Sequence, residues 1–169
     1  MSGTTPGPSA HRYERAPGGI GPDDSLQRLA AWVAPGSTVL ELGPASGYFT
    51  RRLRDGLGCT VDAVELDPAM AEQARPYCRR LVVGDLAQLD LDAALGGARY
   101  RAIVAADVIE HVAHAEPVLE QLKTLLAPGG MLLVSVPNVA YAGLVAALLE
   151  GRFEYRDEGL LDRSHLRFF

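Results

Sequence analysis

Acids and glycines standing at the ends of short apolar runs are the residues of this chain best placed to do chemistry. Val39-Leu40-Glu41-Leu42-Gly43-Pro44-Ala45-Ser46-Gly47-Tyr48-Phe49 reads as a buried strand that runs into a glycine-containing turn and then a helix. Gly43 and Gly47 would let a ligand come close to the backbone, and the turn amides would donate hydrogen bonds to it. The plainer reading is that the glycines only permit a tight connection. A second apolar run, TVDAVELD, ends in Glu65, 22 residues after Gly43. Doubly wound folds set an acid at that point against the hydroxyls of a ribose. Asp67 precedes Pro68 and is better suited to cap the next helix, while Leu66 would offer its side chain to the face of an adenine.

Two more acids follow the same logic. In Val83-Gly84-Asp85-Leu86, Asp85 stands just beyond a strand, where it would accept from an exocyclic amine or cap a turn. In Val104-Ala105-Ala106-Asp107-Val108-Ile109-Glu110-His111-Val112, small residues leave room for a ligand and three polar groups crowd the mouth of the strand. Asp107 is the strongest candidate of the three. Glu110 and His111 read equally well as helix caps or solvent-facing groups, although imidazole titrates near neutral pH and suits proton transfer.

These residues need a scaffold, and the pattern supplies one. Leu26, Leu29, Ala30 and Val33 recur at helical spacing after Asp23 and Asp24, whose carboxylates suit a cap, and Pro35-Gly36 ends that helix. Strands are expected from Thr38 to Leu42, Thr60 to Glu65, Leu81 to Val83, Tyr100 to Ala106 and Met131 to Val136. Helices are expected near Tyr48 to Leu57, near Pro68 to Arg75, and from Pro117 through Leu119, Leu122, Leu125 and Leu126 to a Pro128-Gly129-Gly130 stop. This alternation predicts an α/β fold, a Rossmann-like doubly wound sheet of at least five parallel strands, apolar on both faces through VLEL, AIVAA and MLLVSV. Residues 1–22, rich in Gly, Pro, Ser and Thr, are expected to form a flexible tail.

Composition narrows the function classes. With 169 residues and 48% hydrophobic content the chain suits one core. A net charge of -5 argues against a surface built to neutralise a phosphate backbone, so no nucleic-acid partner is expected. Cys59 and Cys78 have neither the number nor the spacing of a disulfide framework or zinc site, and no metal site is read from spacing anywhere in the chain. No run approaches the roughly 20 apolar residues of a membrane span, and no secretory leader is recognisable, so a soluble cytoplasmic protein is expected.

With these motifs assembled, the chain from about Leu26 to Asn138 resembles the class I S-adenosylmethionine-dependent methyltransferases. ELGPASG is similar to the family's E/D-x-G-x-G-x-G loop, which holds the methionine part of the cofactor. The resemblance thereby implies cofactor-binding roles for Glu41, Gly43, Ala45 and Gly47. Ala45 stands where many members carry the middle glycine. VELD resembles the ribose-binding strand end (Glu65, Leu66), GDL the adenine-contacting segment (Asp85, Leu86), AADVIEHV the fourth motif (Asp107) and LLAPGGMLLVSVPN the helix-turn-strand that follows. Five motifs in the right order make chance a poor explanation.

The stretch from Gly151 to Phe169 resembles a signature of bacterial methyltransferases associated with glycosyltransferases and surface-polysaccharide synthesis. In that group another helix and two strands follow, so the chain is expected to be part of a longer protein, with residues 23–138 binding cofactor and residues 139–169 forming an acceptor-side segment, loose when cut short. The resemblance implies methyl transfer, with a sugar or other small-molecule hydroxyl as acceptor, and for such an acceptor the imidazole of His111 or His165 would serve as general base. A nicotinamide-dependent oxidoreductase is disfavoured, because Pro44-Ala45-Ser46 between Gly43 and Gly47 breaks the G-x-G-x-x-G fingerprint. A cofactor-binding regulatory module without turnover is the alternative.

Overall fold

Side chains that alternate along a strand go to opposite faces of its sheet, and the apolar residues divide accordingly. In the computed structural model, which describes residues 25–169, the order is α1 (Ser25–Ala31), β1 (Thr38–Leu42), α2 (Tyr48–Arg51, continued by a π turn over Arg52–Gly56), β2 (Thr60–Glu65), α3 (Pro68–Ala74), β3 (Arg80–Val83), α4 (Leu91–Ala94), β4 (Tyr100–Ala106), α5 (Ala115–Leu125), β5 (Leu126–Ser135) and α6 (Ala142–Leu149). Val39 of β1 and Ala102 and Val104 of β4 meet Leu26, Leu29, Phe49 and Leu53 from α1 and the α2 region on one face. Leu40, Leu42, Ile103 and Ala105 meet Leu91, Val118, Leu122 and Leu125 from α4 and α5 on the other. The expected tail over residues 1–22 and the caps Asp23 and Asp24 lie outside the described residues.

The five strands are all parallel, in the order β3-β2-β1-β4-β5. Chain direction across the sheet reverses on either side of β1, so a crevice opens beyond the carboxyl ends of β1 and β4. Asp67 caps α3 as expected, accepting from the amides of Ala69 (2.7 Å) and Met70 (3.4 Å). Among the described residues no helix is long and apolar enough to cross a membrane.

Several elements depart from the sequence reading. α5 begins at Ala115, two residues before Pro117, because proline is tolerated in a first turn whose amides lack intrahelical acceptors. Leu126 leaves the helix with ψ 132 and opens β5, so it is not part of the α5 stripe. Pairing of β5 with β4 slips between Tyr100 and Ala102 and resumes at Met131, which places Pro128-Gly129-Gly130 within the strand's bounds as an irregularity. Nor is β5 apolar-buried on both faces: Met131 and Val134 are each 39% exposed, as its position at the sheet edge dictates. Two short helices, α4 and α6, have no counterpart in the sequence reading.

A buried acid also went unforeseen. Asp62, in the middle of β2, accepts from Arg79 Nε (2.9 Å) and Nη2 (2.6 Å) and from the Tyr100 hydroxyl (2.8 Å). Burial alone would raise its pKa, but the bonds from Arg79 and Tyr100 hold it below the usual carboxylate value. The C-terminal segment follows a hydrogen-bonded path. Leu166 N and Arg167 N donate to Glu110 O (2.8 and 3.1 Å), and Val139 N donates to Phe169 O (2.7 Å).

Candidate active site

The crevice is a cleft of about 840 Å³ whose walls come from the strand ends and from the C-terminal segment. Its floor is the turn after β1, where Gly43 (φ 63), Ala45 (φ 48) and Gly47 (φ 81) all take left-handed backbone. Gly43 and Ala45 line the cleft. Gly47 stands at the end of the turn, outside this lining. A Cβ there would stand 2.7 Å from Ala74 Cα and 2.9 Å from Tyr77, so its missing side chain lets α2 pack against the α3 region. At Gly43 a Cβ would meet Val108 at 2.8 Å, so the turn from β1 is pressed against the turn from β4.

Glu65 ends β2 with both carboxylate oxygens engaged: the amide of Ala45 donates to Oε2 (2.9 Å) and the amide of Asp67 to Oε1 (2.9 Å). It lines the cleft while clamping the glycine turn to the end of β2. Leu66 beside it is largely exposed and lines the cleft. Asp85 and Leu86 line the same end, with one Asp85 oxygen taken by the amide of Ala87 (2.8 Å) in a turn. Glu41 is buried in the cleft floor and its Oε2 lacks a hydrogen-bond partner. Burial pushes its carboxyl up to about 7, and the like charge of Glu65 adds to the effect. A buried carboxylate with one oxygen unpartnered at this place fits a ligand that brings a cationic group.

At the opposite end Asp107 (φ 54) is held by β5: its amide donates to Ser135 O (3.1 Å) and its Oδ1 accepts from the Ser135 hydroxyl (2.9 Å). Glu110 is fully buried rather than solvent-facing, and neither of its carboxylate oxygens has a hydrogen-bond partner. Burial pushes it up to about 7, with Asp107 contributing. His111 and His165, 54 residues apart, come together with ring centroids 4.9 Å from each other. Nδ1 of His111 lies 3.2 Å from Ser164 O and Nδ1 of His165 lies 3.2 Å from Leu160 O. A carbonyl only accepts, so Nδ1 is the donor of each ring in these bonds.

Glu41, Gly43, Ala45, Glu65, Leu66, Asp85, Leu86, Asp107, His111 and His165 all line the cleft, and so does Glu110. The C-terminal segment reaches the turn Ile109–His111 through hydrogen bonds to the Glu110 carbonyl, a long-range contact that no local pattern signals. Glu158 and Asp162 in that same wall were likewise not singled out.

An all-parallel sheet with a cleft at its switch point, walled by acids and paired histidines, defines a Rossmann-like domain built to bind a small charged cofactor. The chain belongs to the family described as methyltransferase domain, whose model matches residues 10–168. It is 30% identical to the CcbJ methyltransferase from Streptomyces caelestis, with a TM-score of 0.62 over 78% of this chain and 56% of that one. Two others share the fold. The TehB-like SAM-dependent methyltransferase from Corynebacterium glutamicum is 22% identical, with a TM-score of 0.58 over 78% of this chain and 74% of that one. The N-methyltransferase NodS from Bradyrhizobium japonicum, in complex with S-adenosyl-L-homocysteine, is 21% identical, with a TM-score of 0.57 over 74% and 70%. The chain therefore spans little more than half of CcbJ, 56% of its length. No curated protein matches the chain significantly.

Proposed function

We propose that this chain transfers a methyl group from S-adenosylmethionine to a hydroxyl of a small polar acceptor, of saccharide type. The observation that carries this reading is one continuous cleft with two unlike ends: the clamped glycine turn with Glu41 and Glu65 at one, and Glu110, His111 and His165 at the other. S-adenosylmethionine supplies an activated methyl group on a positively charged sulfur. Glu41, whose Oε2 is unpaired, attracts the cationic end of the cofactor, Glu65 and Leu66 receive ribose and base, and Asp85 and Leu86 border the adenine. Asp107 stands at the second end, beside Glu110. In the transfer the carbon–sulfur bond breaks as a carbon–oxygen bond forms and the hydroxyl proton leaves. His111 and His165 assist that loss, since imidazole exchanges protons near neutral pH. Because the reaction disperses charge, alignment of the two ligands supplies most of the acceleration.

A saccharide acceptor is supported by the resemblance of Gly151 to Phe169 to methyltransferases of surface-polysaccharide synthesis. That segment offers polar and apolar groups to the cleft together, namely Glu158, Leu160, Asp162 and His165. The free thiols Cys59 and Cys78 suit a reducing cytoplasm. Calorimetric titration with S-adenosylhomocysteine and transfer of a labelled methyl group to a panel of sugars test the reading. Glu65→Ala weakens cofactor binding about ten- to a hundredfold, the cost of losing charged hydrogen bonds. Unchanged affinity removes Glu65 from the site, and binding without transfer to any acceptor turns the reading toward a regulatory module.

A further inference from the structure

We propose that Glu110, His111 and His165 form a binding site for one divalent cation of zinc or manganese type, in the cleft wall where the C-terminal segment crosses the turn after β4. The inference concerns metal binding itself, which is read without turnover, so it stands or falls apart from the methyl-transfer reading.

Four observations converge on it. Each of the three residues offers one ligand atom, and these atoms lie within 4.8 Å of one another. The Glu110 side chain is fully buried, yet neither oxygen accepts a hydrogen bond. A carboxylate taken out of water without a partner is costly, and a cation beside it removes that cost. Both imidazoles are turned by main-chain carbonyls, Ser164 O on His111 and Leu160 O on His165, each 3.2 Å from Nδ1. Metal-ligating histidines are oriented in this manner, with the second nitrogen fixed by an outer acceptor and the first left to ligate. Finally, the segment that brings His165 is fastened to the Glu110 backbone itself, whose carbonyl accepts from Leu166 N (2.8 Å) and Arg167 N (3.1 Å). The three ligands therefore belong to one mechanical unit, although 54 residues of chain separate His111 from His165.

The donor set selects the ion. Two imidazoles and one carboxylate suit zinc and its first-row neighbours, which leave further positions open to a ligand, whereas magnesium and calcium prefer oxygen alone. Bonds of about 2.0 to 2.2 Å hold donors no more than about 3.6 Å apart, so loading draws the side chains inward by about an ångström. All three line the cleft, so the open positions face it. An ion held there would favour loss of the proton from a hydroxyl that reached it. In the methyl-transfer reading the histidines then act through the ion.

Calorimetry on the full chain, stripped with chelator and titrated with zinc, manganese or magnesium chloride, tests the site, with cobalt(II) absorption as a spectroscopic readout of ligation. We expect uptake of one equivalent of zinc or manganese and none of magnesium. Glu110→Gln and His165→Ala each weaken that uptake at least tenfold and alter the cobalt spectrum, while Cys78→Ser leaves both unchanged. Glu110→Gln keeps the size of the side chain, and circular dichroism confirms that each variant is folded. Absence of stoichiometric uptake by the wild-type chain, or uptake undiminished in both ligand variants, overturns the proposal. S-adenosylhomocysteine titrated in parallel separates the two readings: metal uptake without cofactor binding leaves this site standing and removes methyl transfer, and the reverse result removes only the metal.

Discussion

Asp62 and Glu110 are both acids with no exposed surface, one in the middle of β2 and one just beyond β4, yet they live in opposite circumstances. Asp62 has a guanidinium gripping both oxygens and a phenol on one of them. Glu110 has neither oxygen satisfied. Burial of a charge therefore says little by itself. A satisfied buried acid fastens strands together, and its pKa stays low. An unsatisfied one is a stored electrostatic cost, kept where a ligand or proton is to be received.

The comparison is broken most forcefully by removing the satisfied acid. Asp62→Ala leaves the Tyr100 hydroxyl buried and unbonded and releases the half-exposed Arg79, and we expect a loss of about 3 kcal/mol in denaturant unfolding. Cofactor affinity of the molecules that remain folded does not change. Glu110→Gln, by contrast, does not lower the unfolding midpoint, because it removes a charge that nothing in the fold balances. Should both substitutions destabilise alike, the contrast between them is wrong.

Glu41 lies between these two cases, buried with one oxygen unpartnered. Its folded pKa of about 7 stands above the ordinary 4.5, so the folded state holds the proton more tightly than the unfolded chain does. Its contribution to stability is present in full below pH 4.5 and is lost as pH rises to about 7. Glu41→Gln removes that loss. The variant gains over the wild-type chain as pH rises through this window, by on the order of 3 kcal/mol at its upper end, measured as thermal or denaturant unfolding against pH. Equal pH slopes for the two proteins exclude the shift. The smallest effect belongs to Ala45, whose left-handed backbone (φ 48) strains an L side chain. Ala45→Gly relieves about 1 kcal/mol of that strain, seen as a small rise in melting temperature.

Local pattern carried most of the scaffold and failed where distance entered. VLEL and AIVAA read as buried strands because β1 and β4 are covered on both faces, and they are. MLLVSV has the same composition, but edge position is a property of the sheet and not of the strand, so Met131 and Val134 come out half-exposed. The glycine turn was legible as a turn, while the division of labour within it was not. Gly43 and Ala45 face the cleft, but Gly47 faces Ala74 and Tyr77 from a helix more than 20 residues away. Asp62 within TVDAVELD looked like a polar position on a strand, since Arg79 and Tyr100 are invisible at that range. His165 was picked out for its place after the fifth strand. Its meeting with His111, and the burial of Glu110 beneath both, needed the folded path of the C-terminal segment.

The Glu65 clamp has a kinetic meaning. With the amides of Ala45 and Asp67 already bonded to its carboxylate, the floor of the cleft keeps one shape before any ligand arrives. An incoming molecule need not wait for that turn to order, and gives up none of its binding free energy to order it. Capture at this end of the cleft is then governed by diffusional encounter and desolvation, so differences in affinity among related ligands are read in how slowly they leave.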